Sequence, residues 1–344
     1  MRALAIVFFL LFGCGCLQAR YITQAAVGQE RLNSSGIQID EIIEGNHLDK
    51  RTRELLAHVP RIKAFGERHG LKHTKNYRRY VWVKPPAVVW VVSACDPLRF
   101  RPVAWKFPIV GSITYTGWFE RKEADAYAAS LAKRGWDVDV RASQAYSTLG
   151  WFDDPILSTM IAPDEAALGD LADVVLHETL HATFYIPGQS TLNESIASFF
   201  GDELALRYMA EVVGPDSPEE RAFRQVRIRA EKRGKVMKEA YEKLAQLYTS
   251  SLPRAEKLAQ KKIITEELRR RLEMKRPVTN ATLIQYKTYG SGKEEMRQLF
   301  EACGHSFPRM LAALQELIPA SKKLPPHTDP GLMLRPLVAK GCAP

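Results

Sequence analysis

Apolar residues change their period along the chain, and each change marks a different kind of element. Residues 21–33 and 38–65 carry a helical stripe, the second interrupted near Pro60. Residues 86–93, 108–118 and 136–142 are instead rich in Val, Ile, Tyr and Trp, which predicts three strands. Between the last two, Ala124, Tyr127, Ala128 and Leu131 fall in register for a helix over 120–134. A largely buried helix follows over 166–185, with Leu168, Leu171, Ala172, Val175 and Leu176, and Pro187-Gly188 ends it. After a short turn comes a helix over 191–213. Heptad-like apolar residues, among them Val226, Val236, Tyr241, Leu244, Leu247, Leu258, Ile263, Leu268 and Leu272, predict two long helices broken at Ser250-Ser251-Leu252-Pro253. Helices over 279–287 and 293–317 follow, then a Pro-rich tail from 320 with little periodicity. There are no internal repeats, and the order predicts an α+β fold.

The chemistry stands on the buried helix. It carries His177-Glu178-Thr179-Leu180-His181, and Glu194 follows 13 positions after His181 in Asn193-Glu194-Ser195. Helical positions i and i+4 share a face, so His177 and His181 can bind one metal with Glu178 beside it as general base. A catalytic Zn2+ keeps three protein ligands and one open position, and Glu194 on the next helix completes a His2Glu set. A His pair on an ordinary amphipathic helix is often merely solvated. On a helix this apolar, two imidazoles and a carboxylate without a metal carry a desolvation cost. Sheet, metal helix and helical lobe is also the gross order of thermolysin-type zinc peptidases, so the expected fold is zincin-like.

Composition adds two points. The amino terminus reads Met1-Arg2, an apolar run over 3–12, and Gly13-Cys14, which has the charge, length and small-residue exit of a secretory signal. Leu11-Phe12-Gly13-Cys14 resembles a bacterial lipobox, with Phe12 an unusual residue there. Lipidation at Cys14 would anchor the protein in the bacterial cell envelope, with the catalytic domain in the periplasm. A soluble exported protein is the alternative. Export permits pairing of Cys16, Cys95, Cys303 and Cys342, and the sequence does not choose among the three pairings. The net charge of +10 is concentrated between Arg221 and Arg276, where 18 Lys and Arg face 7 Glu. In an exported protein this basic arm suggests anionic lipid or cell-envelope polymer, or a solvated helix face, rather than nucleic acid. The expected organisation is a signal over 1–13, N-terminal helices and mixed sheet over 14–165, metal-site helices over 166–213, a helical lobe over 214–320 and a tail over 321–344.

Several stretches together resemble a bacterial family, the "putative aminopeptidases", described as zinc-dependent peptidases. The similarity begins at Tyr21-Ile22-Thr23-Gln24-Ala25-Ala26-Val27-Gly28-Gln29. It continues through Val88-Val89-Trp90, Trp105 to Gly111 and Ala145 to Pro155, then the His177–His181 motif and Asn193-Glu194-Ser195. It covers roughly residues 14–210 and is looser around Thr279-Asn280-Ala281. Where the family commonly has Cys on either side of Phe-Pro-Ile-Val-Gly, this chain has Lys106 and Ser112, so no disulfide forms there.

The resemblance implies a metallopeptidase acting on a peptide with a free amino terminus, which needs a carboxylate near the metal. Asp153 and Asp154 are the candidates for binding the amine, or they cap the turn before Pro155. For the developing oxyanion the candidates are Tyr146, which lies in the matched stretch, Tyr289 or a His outside the motif. Asn193 is expected to cap the Glu194 helix, and the strand from Trp136 to offer an edge to an extended peptide. Two readings come from other classes: a metal-binding or scaffolding lipoprotein with no turnover, against which an intact Glu178 argues, and a non-catalytic envelope lipoprotein that acts as a binding module through its basic arm. Oligomeric state is not legible.

Overall fold

The computed structural model describes residues 16–46, 48–107, 111–146, 153–290, 292–326 and 328–342, with backbone alone for 16–19 and 286–290. The signal segment 1–13 and Cys14 lie outside the described residues, and the Tyr289 side chain is not described.

Helix α1 (Cys16–Ser34) leads through β1 (Ile37–Gln38) to α2 (Ile39–Glu44) and α3 (Lys50–Arg68). Asp49 caps α3 by accepting the Thr52 amide at 2.9 Å. The break expected near Pro60 is absent. Helix α3 runs through Pro60, and the interruption falls between α2 and α3 instead. An internal Pro costs ~3 kcal/mol, but Leu56, Val59, Ile62 and Phe65 are fully buried around it and each contributes ~1.5–3 kcal/mol.

Next come β2 (Arg79–Val81), β3 (Val89–Cys95), β4 (Trp105–Phe107), β5 (Gly111–Ile113), β6 (Thr116–Trp118), α4 (Arg121–Lys133), β7 (Asp137–Ser143) and β8 (Ile156–Leu157). They form three small sheets, ordered β1-β2-β8, β6-β3-β7 and β4-β5. The run 108–118 is therefore not one strand, because β5 and β6 join different sheets. Strand β7 lies at an edge and pairs antiparallel with β3, Val91 opposite Arg141 and Val89 opposite Ser143. Its alternation divides the labour: Val138 and Val140 pack with Leu131 and Tyr127 of α4, while Asp137, Asp139, Arg141 and Ser143 share the other face.

Helices α5 (Ala167–Thr183) and α6 (Ser190–Tyr208) come next, the second ending in a π turn at Met209–Val213. Then α7 (Pro218–Thr249) and α8 (Arg254–Arg271) form the basic arm, separated at residues 250–253 as the sequence predicts. The arm is pinned to the sheet, since Lys261 pairs with Asp137 and Arg276 with Asp139.

Helices α9 (Asn280–Gly290), α10 (Lys293–Ala302), α11 (Phe307–Gln315), α12 (Leu317–Ser321) and α13 (Pro330–Lys340) complete the chain. Helix α13 lies in the tail that the sequence analysis leaves unstructured. Pro330 occupies the tolerated first turn, and Met333, Leu334 and Leu337 are buried. Of the three cysteine pairings, Cys303–Cys342 is formed, and it ties the end of α13 to the end of α10. Closing a loop with a separation of 39 residues is worth about 3–4 kcal/mol in the chain-entropy picture. Cys95 is a buried thiol. One hydrophobic core extends from Leu32 to Leu337 and takes in most of the buried face of α5 and α6. Among the described residues no helix is long and apolar enough to cross a membrane.

Candidate metal centre

Helix α5 presents His177, Glu178 and His181, and α6 brings Glu194 opposite them. The turn between these helices is fixed by Asn193, though not as a cap. Asn193 lies inside α6, where its Oδ1 accepts the Ile186 amide at 2.9 Å and its Nδ2 donates to the Ile186 carbonyl at 2.8 Å. This two-point clasp sets the depth of the neighbouring Glu194. Gln189 adds a second hold, donating to the Pro325 carbonyl at 2.9 Å and accepting the Thr328 amide at 3.1 Å, so the tail also braces the turn.

The donors converge. Glu194 Oε2 lies 3.6 Å from His177 Nε2, and Glu194 Oε1 lies 3.7 Å from His181 Nε2. Three ligand atoms, one from each residue, all lie within 4.8 Å of one another. Ligands about 2.0–2.2 Å from a tetrahedral zinc stand ~3.4 Å apart, so the set fits that ion with small adjustments. The two imidazoles are nearly perpendicular, at 81°.

Charge supports the same reading. Burial would raise the Glu194 carboxyl, but His177, His181 and Arg141 outweigh it and pull it down to about 2. Burial pushes His181 down to about 4, leaving a neutral imidazole. Burial would lower His177 too, yet Glu194, Glu178 and Asp173 lift it to about 9. An anion and a neutral imidazole suit a cation. A metal must displace the proton on His177.

These residues form one wall of a cavity of about 570 Å³. Tyr146 also lines it, with burial raising its hydroxyl. Asp153 and Asp154 are not among the lining residues. Asp153 is exposed and its carbonyl accepts from Arg79 at 3.1 Å, while Asp154 is buried and bonds through its backbone to Tyr77 and Asn76.

Four of the lining residues that the sequence reading did not single out act on the cluster. Tyr115 donates to Glu194 Oε1 at 3.4 Å, and Tyr185 has its hydroxyl raised to about 12, by burial first and Glu194 second. Arg141 comes from the polar face of β7, and Asp173 from α5. Asp173 was the most legible, because it stands four residues before His177 on the same helical face.

Asp173 is wedged beside His177. A Cβ on Gly201 would sit 2.4 Å from Asp173 Oδ1 and 3.1 Å from His177 Cβ, so only glycine permits this approach of α6 to α5. Arg227 of the basic arm holds Oδ2 at 3.5 Å, and Oδ1 is buried without a hydrogen bond among the described residues. Asp173 acts on His177 through its charge, and losing a carboxylate that supports a metal-site imidazole typically costs ~10–100-fold in metal affinity. Asp173→Asn and Gly201→Ala are each expected to weaken zinc binding by this order in chelator competition. Unchanged affinity in both would remove Asp173 from the support of His177.

A family model described as "Putative aminopeptidase" matches residues 20–324. Searches of curated proteins and of solved structures found no match. With the family model spanning most of the chain, including the helices that carry the His177, His181 and Glu194 cluster, this protein belongs to the "Putative aminopeptidase" family.

Proposed function

We propose that the protein is a zinc-dependent peptidase of zincin-like arrangement, acting as an aminopeptidase, with Glu178 as general base. The observation that carries the proposal is the convergence of His177, His181 and Glu194 in the wall of a cavity that Glu178 also lines. A zinc ion held there would lower the pKa of a bound water toward ~7 and polarise the scissile carbonyl. Glu178 takes a proton from the attacking water and delivers it to the leaving amine. Burial keeps the Tyr146 and Tyr185 hydroxyls protonated, so both remain donors for the oxyanion, and Tyr146 is the proposed one.

The free-amine preference rests on the family match, whose description is an aminopeptidase. Asp153 and Asp154 remain proposed contacts only for a substrate that extends beyond this cavity. The test is digestion of a peptide library by the zinc-loaded protein, with and without amino-terminal acetylation. Release of single residues from free peptides, with acetylated ones resistant, is expected. Equal cutting of internal bonds in both pools would make the enzyme an endopeptidase.

We further propose that Cys14 is lipidated and anchors the protein in the cell envelope, supported by the apolar run ahead of it and by the formed disulfide. A mature chain of unmodified mass beginning after Cys14 would contradict the anchor.

A further inference from the structure

The polar face of β7 carries Asp137, Asp139, Arg141 and Ser143 in alternation. The first two are committed to the basic arm, Asp137 to Lys261 and Asp139 to Arg276. Arg141 and Ser143 line the metal cavity, as do their register partners Val91 and Val89 on β3. Arg141 is the one Arg or Lys among the described residues that line this cavity, and it acts electrostatically on Glu194. Most of the remaining wall is apolar or aromatic, including Ile22, Phe107, Ile113, Tyr115 and Val174.

We propose that Arg141 is a specificity-determining residue that receives the carboxy-terminal carboxylate of a short peptide, so that the preferred substrates are apolar di- and tripeptides. This rests on the peptidase reading and adds to it the length and far end of the substrate. A guanidinium stays charged at every relevant pH and presents a planar fork that matches a carboxylate in two parallel hydrogen bonds. The cavity volume, about 570 Å³, falls within the ~300–1,000 Å³ range of sites that hold a small molecule. Arg141 lines the same cavity as the metal cluster and is near enough to act on Glu194, so a substrate bound at the metal lies within reach of both. A short peptide brings its terminal carboxylate close to the scissile bond, whereas a long chain brings no terminal carboxylate to Arg141. Apolar walls fit its side chains.

The experiment compares a Leu-Phe dipeptide with its carboxy-terminal amide on the zinc-loaded full chain. The free acid is expected to be hydrolysed with a kcat/KM ~10–100-fold above that of the amide, mainly through KM. Arg141→Gln is expected to lower kcat/KM for the acid at least tenfold more than for the amide, and Arg141→Lys to restore part of the difference. Equal rates for acid and amide in the parent protein, or an equal loss for both in Arg141→Gln, would overturn the proposal. If neither peptide is cut by any variant, the peptidase reading fails, and calorimetric binding decides the role of Arg141 separately. Zinc-loaded Glu178→Gln protein should bind the acid at least tenfold more tightly than the amide, and adding Arg141→Gln should erase the difference. Equal affinities at the first step would refute the carboxylate site.

Discussion

Glu178→Gln is expected to lower peptide hydrolysis by ~10²–10⁴-fold while the protein still binds one zinc per chain, because the change removes a proton acceptor and leaves the ligands intact. Glu178 follows His177 directly on α5 and lines the same cavity. Gln has nearly the same size, so the helix packing is preserved, but its amide cannot take a proton from the attacking water. The measurement is kcat/KM on a free-amine peptide, with bound zinc counted in the same samples. Hydrolysis within about tenfold of the parent, with zinc retained, would show that another group serves as base.

Glu194→Gln should act one step earlier, on the metal itself. The carboxylate faces both imidazoles, 3.6 Å from His177 and 3.7 Å from His181, and it is the only negative charge in the ligand set. Its loss is expected to weaken zinc binding by more than the ~10–100-fold typical of supporting residues, and to abolish hydrolysis at sub-micromolar free zinc. The fold carries a second consequence. Without the Glu194 carboxylate, the buried His177 imidazole sheds its proton and the buried ion pair is lost, so the carboxylate-lacking protein should be less stable when metal-free. Gln rather than Ala limits the added cavity cost. Chelator competition and thermal melts check both statements, and undiminished zinc affinity would take Glu194 out of the site.

The convergence of His177, His181 and Glu194 was legible because their spacing is local. His177 and His181 fall on one face by helical period, and a short turn confines Glu194 to the facing helix. The buried stripe of α5 was equally plain in the sequence. What escaped was set by contacts between distant segments. Arg141 comes to the cavity because β7 pairs with β3, and nothing in residues 136–142 alone indicates which face meets the cavity. Tyr115 reaches Glu194 across 79 positions of sequence. Asn193 has the residue type of a cap, yet it serves as a clasp on Ile186, because its amide can both donate and accept where a cap needs only an acceptor. The tail helix was hidden by Pro330 and Pro336, and the bond from Cys342 to Cys303 depends on a fold that local pattern does not encode. Pro60 misled in the opposite direction, since the burial of its neighbours holds α3 together.

The central claim is that one zinc, held by His177, His181 and Glu194, is required for peptide hydrolysis. It is tested most directly by stripping the protein of metal and returning zinc in measured steps, with bound zinc and hydrolysis of a free-amine peptide followed together. Activity is expected to be absent from the stripped protein, to rise in proportion to bound zinc and to level off at one equivalent per chain. Hydrolysis that persists in the stripped protein, or that does not change as this site fills, would contradict the account.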